Sequence, residues 1–214
     1  MQINIRFPNS TNCTNGADVK ALITRKLPEL PELFWNRENG KLLNGIAPIR
    51  FVWTRDEIGV TGIGETGFST IMESASAILR AFPNATLSHV PCGFKTGPQL
   101  SKTIVNRMVL KTKNDDDAKR HFCDHQSIAN WTIHATQTIR NGILKQADLL
   151  GIELDPDMLI VGDIAFGQVN SAPHNDHRYL IANIICRTNI RPYGDWRVGT
   201  LASLGYGHLI TAAQ

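Results

Sequence analysis

The sequence predicts an α+β protein written twice on one plan: a strand, helix, strand, strand, helix, strand unit, then a degenerate second copy closed by a C-terminal glycine-rich loop. Three observations predict it. Through Val90 the apolar residues switch between a period of two and a period of 3.6 in that order. The segment from Gly93 to Ser101, rich in Gly, Pro and polar residues, reads as a boundary between units. The last stretch sets Gly199, Gly205 and Gly207 between two apolar strand-like runs, and glycine spaced this way implies a backbone that turns tightly or approaches something closely.

Each element follows from its pattern. Ile3, Ile5 and Phe7 alternate with polar residues as a half-buried strand does. Val19, Leu22, Ile23 and Leu27 then lie on one face of a helix, with Lys20 and the Arg25-Lys26 pair on other faces, until Pro28 and Pro31 stop the run. Ile49 to Thr54 is strand-like, and Asp56 to Gly64 makes a turn and a second strand. Phe68, Ile71, Met72, Ala75, Ile78, Leu79 and Phe82 keep the helical period for four turns and predict a core-facing helix, which Pro83-Asn84 closes. Ala85 to Val90 supplies the fourth strand. This succession is the split βαβ, or ferredoxin-like, arrangement: an antiparallel sheet with two helices on one face.

The second copy starts with a strand at Arg107 to Lys111 and a charged loop or short helix at Lys113 to Asp124. A long helix carries Ile128, Trp131, Ala135, Ile139, Ile143, Ala147 and Leu150 on one face. Leu159 to Phe166 and Tyr179 to Cys186 are strand-like, no clear helix is written between 165 and 178, and the glycine-rich tail returns as the last strand. The expected units are residues 1–97 and 98–214.

Composition narrows the classes. With 214 residues, 42% hydrophobic and 19% charged, the chain is an ordinary globular one and neither a disordered tail nor a fibrous repeat. No apolar run approaches the roughly 18 residues that would cross a bilayer, and the start lacks a basic-then-apolar leader. The expectation is therefore a cytoplasmic protein with no membrane partner. Cys13, Cys92, Cys123 and Cys186 are scattered without a C-x-x-C pair and read as free thiols. The net charge is only +3, but Lys and Arg outnumber Asp and Glu within residues 1–110 and not beyond, an asymmetry that fits a polyanion partner.

Two tandem units of this kind, the strand pair Ala47-Pro48-Ile49-Arg50-Phe51-Val52-Trp53 and Ile58-Gly59-Val60-Thr61-Gly62-Ile63-Gly64-Glu65, and the terminal Ser203-Leu204-Gly205-Tyr206-Gly207 together resemble the CRISPR-associated endoribonucleases that mature guide RNA by cutting its repeat, within the repeat-associated mysterious protein (RAMP) superfamily. The resemblance covers nearly the whole chain and lies in the order and spacing of short motifs. It implies tandem RRM-like units, CRISPR repeat RNA (pre-crRNA) as the partner and cleavage at or near the base of the repeat hairpin. The last glycine-rich segment, Gly205, Tyr206 and Gly207, would pack near bound RNA.

The departure from that pattern is equally specific. Compact members carry catalytic histidines between the first helix and the proline-led strand. The matching stretch here, Leu33-Phe34-Trp35-Asn36-Arg37-Glu38-Asn39-Gly40-Lys41, has none, and the first histidine of the chain is His89. Trp35 and Arg37 stand at the histidine positions. Arginine is no base, but its planar fork matches phosphate oxygens and stabilises a pentacoordinate transition state. Arg37 is the first candidate for that role, and Lys41 for contacting the same phosphate or protonating the leaving oxygen. His208 is the candidate for supplying an imidazole from the second unit. Lys20, Arg25 and Lys26 are candidate backbone contacts, and Trp35 and Tyr206 candidate stacking platforms. Each has a bland alternative: Arg37 and Lys41 as a solvated pair beside Glu38, Trp35 as a cap on the core, Tyr206 as a strand aromatic and His208 as a surface histidine.

Two functional readings follow, a metal-independent endoribonuclease leaving a 2′,3′-cyclic phosphate and a catalytically silent repeat-RNA-binding or scaffold subunit of an effector complex. Nothing in the sequence calls for a cofactor. Gly62-Ile63-Gly64 lacks the full dinucleotide fingerprint, and no Walker lysine follows any glycine cluster. His121, Cys123 and His125 have the alternation of a metal site, but structural zinc usually takes four ligands in paired spacings and no second pair is evident.

Overall fold

The computed structural model describes residues 1–43, 46–110, 125–174 and 177–211, with the side chains of 125–127, 173–174 and 177–178 outside the description. Among these residues the protein is mixed α+β, with three α-helices and antiparallel sheets. Two compact units form, and their boundary is not one cut in the sequence. The first holds residues 1–93 together with 145–152 and 202–205; the second holds 94–144, 153–201 and 206–214.

In the first unit, strands β1 (Gln2–Pro8), β4 (Ile49–Trp53), β5 (Glu57–Ile63) and β6 (Thr86–Val90) make one sheet in the order β4-β5-β1-β6. Helices α1 (Gly16–Lys26) and α2 (Gly64–Ala81) follow β1 and β5 in the chain. All three strand pairs are antiparallel, with Ile5 opposite Val60 on one side and Leu87 on the other. The period-two pattern puts Ile3, Ile5, Phe7, Ile58 and Val60 on one sheet face, where they are buried with Val19, Leu22, Ile23, Ile71, Ala75 and Ile78 of the helices. Burying each of the larger side chains contributes roughly 1.5 to 3 kcal/mol.

The opposite sheet face is polar and still buried. Asn4 accepts from Gln2 (3.0 Å) and Thr61 (2.8 Å), while Arg6 donates to the Thr61 hydroxyl (2.8 Å) and the Val60 carbonyl (2.7 Å). Fully buried Arg50 donates to Gln146 at 2.8 Å.

Local signals set the helix ends. The side chain of Asn15 accepts from the Ala17 and Asp18 amides at 2.8 and 3.0 Å and so caps α1. Asp18 reaches back to the Thr14 hydroxyl (2.7 Å) and amide (2.8 Å), bonds that hold its carboxyl below the usual carboxylate range. The predicted α2 stripe is only partly core: Ile71, Ala75, Ile78 and Phe82 are buried, whereas Met72 and Leu79 are 46% and 37% exposed. The stripe is wider than the sheet face it meets, so its outer rows remain in water.

Between α1 and β4 the chain forms a 3₁₀ turn (Glu32–Trp35) and a hairpin of β2 (Arg37–Glu38) and β3 (Lys41–Leu42). Asn39 and Gly40 make its two-residue connection with φ of 50° and 75°, the left-handed pair that an Asn-Gly hairpin favours. That dipeptide is a strong hairpin signal that the reading of this stretch by its missing histidine passed over.

The second unit holds a sheet of β7 (Gly93–Val109), β8 (Val161–His174), β9 (His177–Tyr193) and β10 (His208–Thr211) in the order β10-β7-β9-β8. The Gly93 to Ser101 segment, read from its composition as the boundary between units, forms the first half of the long strand β7. Its Gly97 and Pro98 do not break the strand. Where the ideal repeat would carry a second helix, β8 and β9 continue pairing as one long antiparallel hairpin interrupted by two irregularities. Helix α3 (His125–Leu149) buries Ala135, Ile139, Ile143 and Ala147 as its period predicts; Ile128, expected on the same face, is 38% exposed. Lys113 to Asp124, and with it His121 and Cys123, lies outside the described residues, as do the side chains of His125, His174 and His177. Cys13, Cys92 and Cys186 are buried thiols, and burial pushes that of Cys186 up to about 11.

Candidate functional site

The candidate residues fall into two groups, one in each unit. In the first unit, Lys20 is half-buried in the middle of α1, with its ammonium 5.8 Å from the centroid of the Phe51 ring. Burial, and then the neighbouring Arg37 guanidinium, hold its pKa below the ordinary lysine value. Two cations are therefore near enough to raise each other's energy. Trp35 is stacked on the other side of this corner, its ring 6.2 Å from Phe51 with an interplanar angle of 12°, and its indole N–H donates to the Leu30 carbonyl at 3.2 Å. Trp35 thus caps the aromatic core while remaining partly exposed.

The hairpin register separates the other two first-unit candidates. Arg37 pairs with Leu42 and Glu38 with Lys41, and successive strand side chains point to opposite faces, so Lys41 stands with Glu38 and away from Arg37. Both cations are exposed. Lys26 donates to the Ala81 carbonyl at 3.1 Å and lies 4.8 Å from the Phe82 ring centroid, which ties the C-terminal turns of α1 and α2 together. Arg25 beside it is exposed.

The glycine-rich segment divides at Gly205. A 3₁₀ turn (Ala202–Leu204) packs in the first unit, close enough that the Leu204 carbonyl oxygen would lie 2.5 Å from a Cβ added to Gly16. From Tyr206 onward the chain belongs to the second unit. Gly207 has φ of 69°, and a Cβ there would fall 1.9 Å from the Val198 carbonyl oxygen. Its own carbonyl accepts from Val198 and its amide donates to Arg107, at 2.9 and 3.3 Å. Gly205, at φ of 99°, has open space where a Cβ would stand.

Around this turn the second unit gathers its own set of charged and aromatic groups. Tyr206 is buried, with the Arg107 guanidinium 4.6 Å from its ring centroid and donating to its hydroxyl at 3.3 Å. Tyr206 therefore acts as a shelf for Arg107. His208 remains 41% exposed on β10, opposite Asn106, with Nε2 4.0 Å from Asp195 Oδ1. The same carboxylate oxygen accepts from Arg197 Nε at 2.7 Å, and Arg197 is bridged to His208 through the backbone. At 4.0 Å the carboxylate lies within ion-pair distance of the imidazole but beyond hydrogen-bond reach.

Sequence reasoning named Lys20, Arg37 and His208 but missed Asp195, Arg197 and Arg107. Asp195 and Arg197 share an alternating Asp-x-Arg spacing that was legible; Arg107 could be joined to Tyr206 only by the pairing of distant strands. Among the described residues no group of His, Cys, Asp and Glu is arranged to hold a metal ion.

This fold is that of the CRISPR RNA-processing endoribonucleases. Solved structures of a Csf5 described as a CRISPR-Cas type IV Cas6 crRNA endonuclease (TM-score 0.66, 15% identity), of a Cas6b (0.63, 14%) and of a CRISPR RNA processing endoribonuclease Cas6b (0.63, 13%) are similar over 99% of this chain and 99 to 100% of theirs. The model of the type IV CRISPR-associated endonuclease Csf5 family matches residues 2–214, and the chain belongs to that family. No curated protein matches it by sequence.

Proposed function

We propose that this protein binds CRISPR repeat RNA and cuts it without a metal ion, the ribose 2′-hydroxyl attacking its own phosphate to leave a 2′,3′-cyclic phosphate and a 5′-hydroxyl. The observation that carries the proposal is the lowered pKa of Lys20 beside Arg37 in a chain of this family. An amine held toward neutrality is a better proton carrier at working pH. A guanidinium beside it offers two donors to a phosphorane. Arg37 is assigned to transition-state charge and Lys20 to the proton or the same phosphate. His208, beside Asp195, is the alternative proton carrier. Arg25, Lys26 and Lys41 contact the RNA backbone, Trp35 offers its exposed edge to an unpaired base, and Gly205, Tyr206 and Gly207 lie along the RNA.

In this reading residues 1–97 and 98–214 are tandem ferredoxin-like copies, the second having exchanged its last helix for a long hairpin. The protein works in the cytoplasm and stays on its product within an effector complex. No helix among the described residues is long and apolar enough to cross a membrane.

A second reading, a catalytically silent repeat-binding subunit, is favoured by one observation: the hairpin register sets Lys41 against Glu38 and away from Arg37. Incubating the protein with its cognate repeat RNA in EDTA separates the two. Cleavage of the natural RNA, and none of the same RNA with a 2′-deoxyribose at the cut, is the expected result. Tight binding with neither RNA cut would leave the silent subunit.

A further inference from the structure

The second unit carries a cationic cleft whose lining includes none of the candidate site residues named above. Its volume is about 340 Å³ and its lining is Lys95, Thr96, Gly97, Pro98, Gln99 and Arg191. Two features set it apart from a chance pair of surface cations. The first is anchoring: Arg191 donates from Nε to the hydroxyl of buried Ser101 at 2.6 Å, so one edge of the guanidinium is fixed while the side chain remains exposed. A pre-set guanidinium loses little freedom when it meets an anion. The second is charge: the lining holds two cations and no carboxylate. Arg187, four residues earlier on β9, contrasts with it by lying 3.5 Å from Asp163.

An aromatic ring accompanies the cleft. Tyr193 is two residues beyond Arg191 on β9, hence on the same side of the strand, and is 43% exposed. Two positions along a strand span about 6.6 Å, a spacing that lets a chain with a phosphate at Arg191 lay a base against Tyr193. A duplex presents its phosphates but keeps its base faces stacked inside, so a cation and an open ring side by side match an unpaired strand.

Resting on the reading above that this protein binds repeat RNA, we infer that the cleft of Lys95 and Arg191, with Tyr193, holds a single-stranded stretch of that RNA outside the hairpin. The phosphate lies between the ammonium and the guanidinium, Thr96 and Gln99 offer hydrogen bonds to the sugar and phosphate, and a base stacks on Tyr193. Gly97 leaves the wall open, since nothing lies within 4 Å of where its Cβ would stand.

The test titrates the full chain, by fluorescence anisotropy, against two RNAs: the repeat hairpin trimmed to its stem-loop, and the same hairpin with its natural single-stranded flanks. The unsubstituted protein should bind the flanked RNA more tightly. Arg191→Gln and Tyr193→Ala should each weaken the flanked RNA about 10-fold and leave the stem-loop unchanged, and Lys95→Gln should act in the same direction. Arg191→Gln should also flatten the salt dependence of the flanked RNA by about 0.7 in log–log slope. Tyr193→Phe, which keeps the ring, should bind like the parent and guards against a loss through misfolding. Equal affinity of Arg191→Gln, Tyr193→Ala and the parent for the flanked RNA would overturn the inference and leave repeat binding standing, as would equal losses on both RNAs. An unsubstituted protein that binds neither RNA would overturn the repeat-binding reading together with the inference.

Discussion

The corner of Lys20 and Arg37 and the cluster of His208, Asp195 and Arg197 handle charge in opposite ways. In the first, Lys20 lies over the Phe51 ring, and burial together with the nearby Arg37 charge lowers its pKa. In the second, a single carboxylate stands beside both a guanidinium and an imidazole, so the cluster carries its own counter-charge. Two neighbouring cations lower their energy when an anion arrives, whereas in the second cluster a carboxylate already stands beside the guanidinium. On the function proposed above, the first receives the phosphate and the second supplies the alternative proton carrier.

That contrast can be broken experimentally, beginning with the turn that supports the second cluster. Gly207→Ala should destabilise the protein by about 3 kcal/mol or more, because a left-handed backbone and a carbonyl at 1.9 Å both oppose the new methyl group. Gly205→Ala should cost only about 1 kcal/mol, since its space is open and only the backbone angle resists. Urea denaturation of the two variants checks the ranking, and equal losses would dissolve the distinction between a packed and an open glycine.

Cleavage kinetics compare the clusters directly. Arg37→Ala should lower the single-turnover rate by about 10²- to 10³-fold at saturating protein, as expected when a transition-state donor is lost. If His208 carries the proton, His208→Ala should cost about 10²-fold or more, and Asp195→Asn, which leaves the imidazole but removes the neighbouring negative charge, should cost less. An unchanged rate in His208→Ala would assign the proton to Lys20 and reduce the second cluster to a structural role.

The smallest effect concerns stability and pH. Because the folded pKa of Lys20 lies below its unfolded one, the unfolded chain binds more protons between those two values, so stability rises with pH across that alkaline window. Below it, the native protein bears the cost of a desolvated ammonium in full. Lys20→Met should therefore raise the urea midpoint at neutral pH, with the advantage shrinking as the ordinary lysine pKa is approached. Arg37→Ala should stabilise in the same direction but less, because burial is the larger cause and Arg37 the smaller. A Lys20→Met variant with no gain at neutral pH would show that the ammonium carries no such cost.

Much of the first unit was legible because its signals are local. Alternation in β1, the stripe of α1 and the Pro-Asn stop after α2 each depend on neighbours within a few residues, and the structure keeps them. The second unit was less so: Gly97 and Pro98 belong to a segment whose composition reads as a boundary between units, yet they lie inside β7, since pairing with a distant strand outweighs local preference. The exposed Met72 and Leu79 show a related limit, because periodicity gives the direction of a helix face but not the width of the surface that will cover it.

By itself the sequence determined the α+β class, the order of elements in the first unit, the glycine-rich end and the absence of a histidine between Leu33 and Lys41. Tertiary structure alone decided that Arg37 lies near enough to Lys20 to lower its pKa and on the opposite hairpin face from Lys41, that Tyr206 supports Arg107, that Asp195 lies 4.0 Å from His208, and that Arg191 and Lys95 share a cleft. The physical reason is that dihedral preferences and hydrophobic period are written residue by residue, whereas electrostatic partners are chosen by strand register and packing across tens of residues.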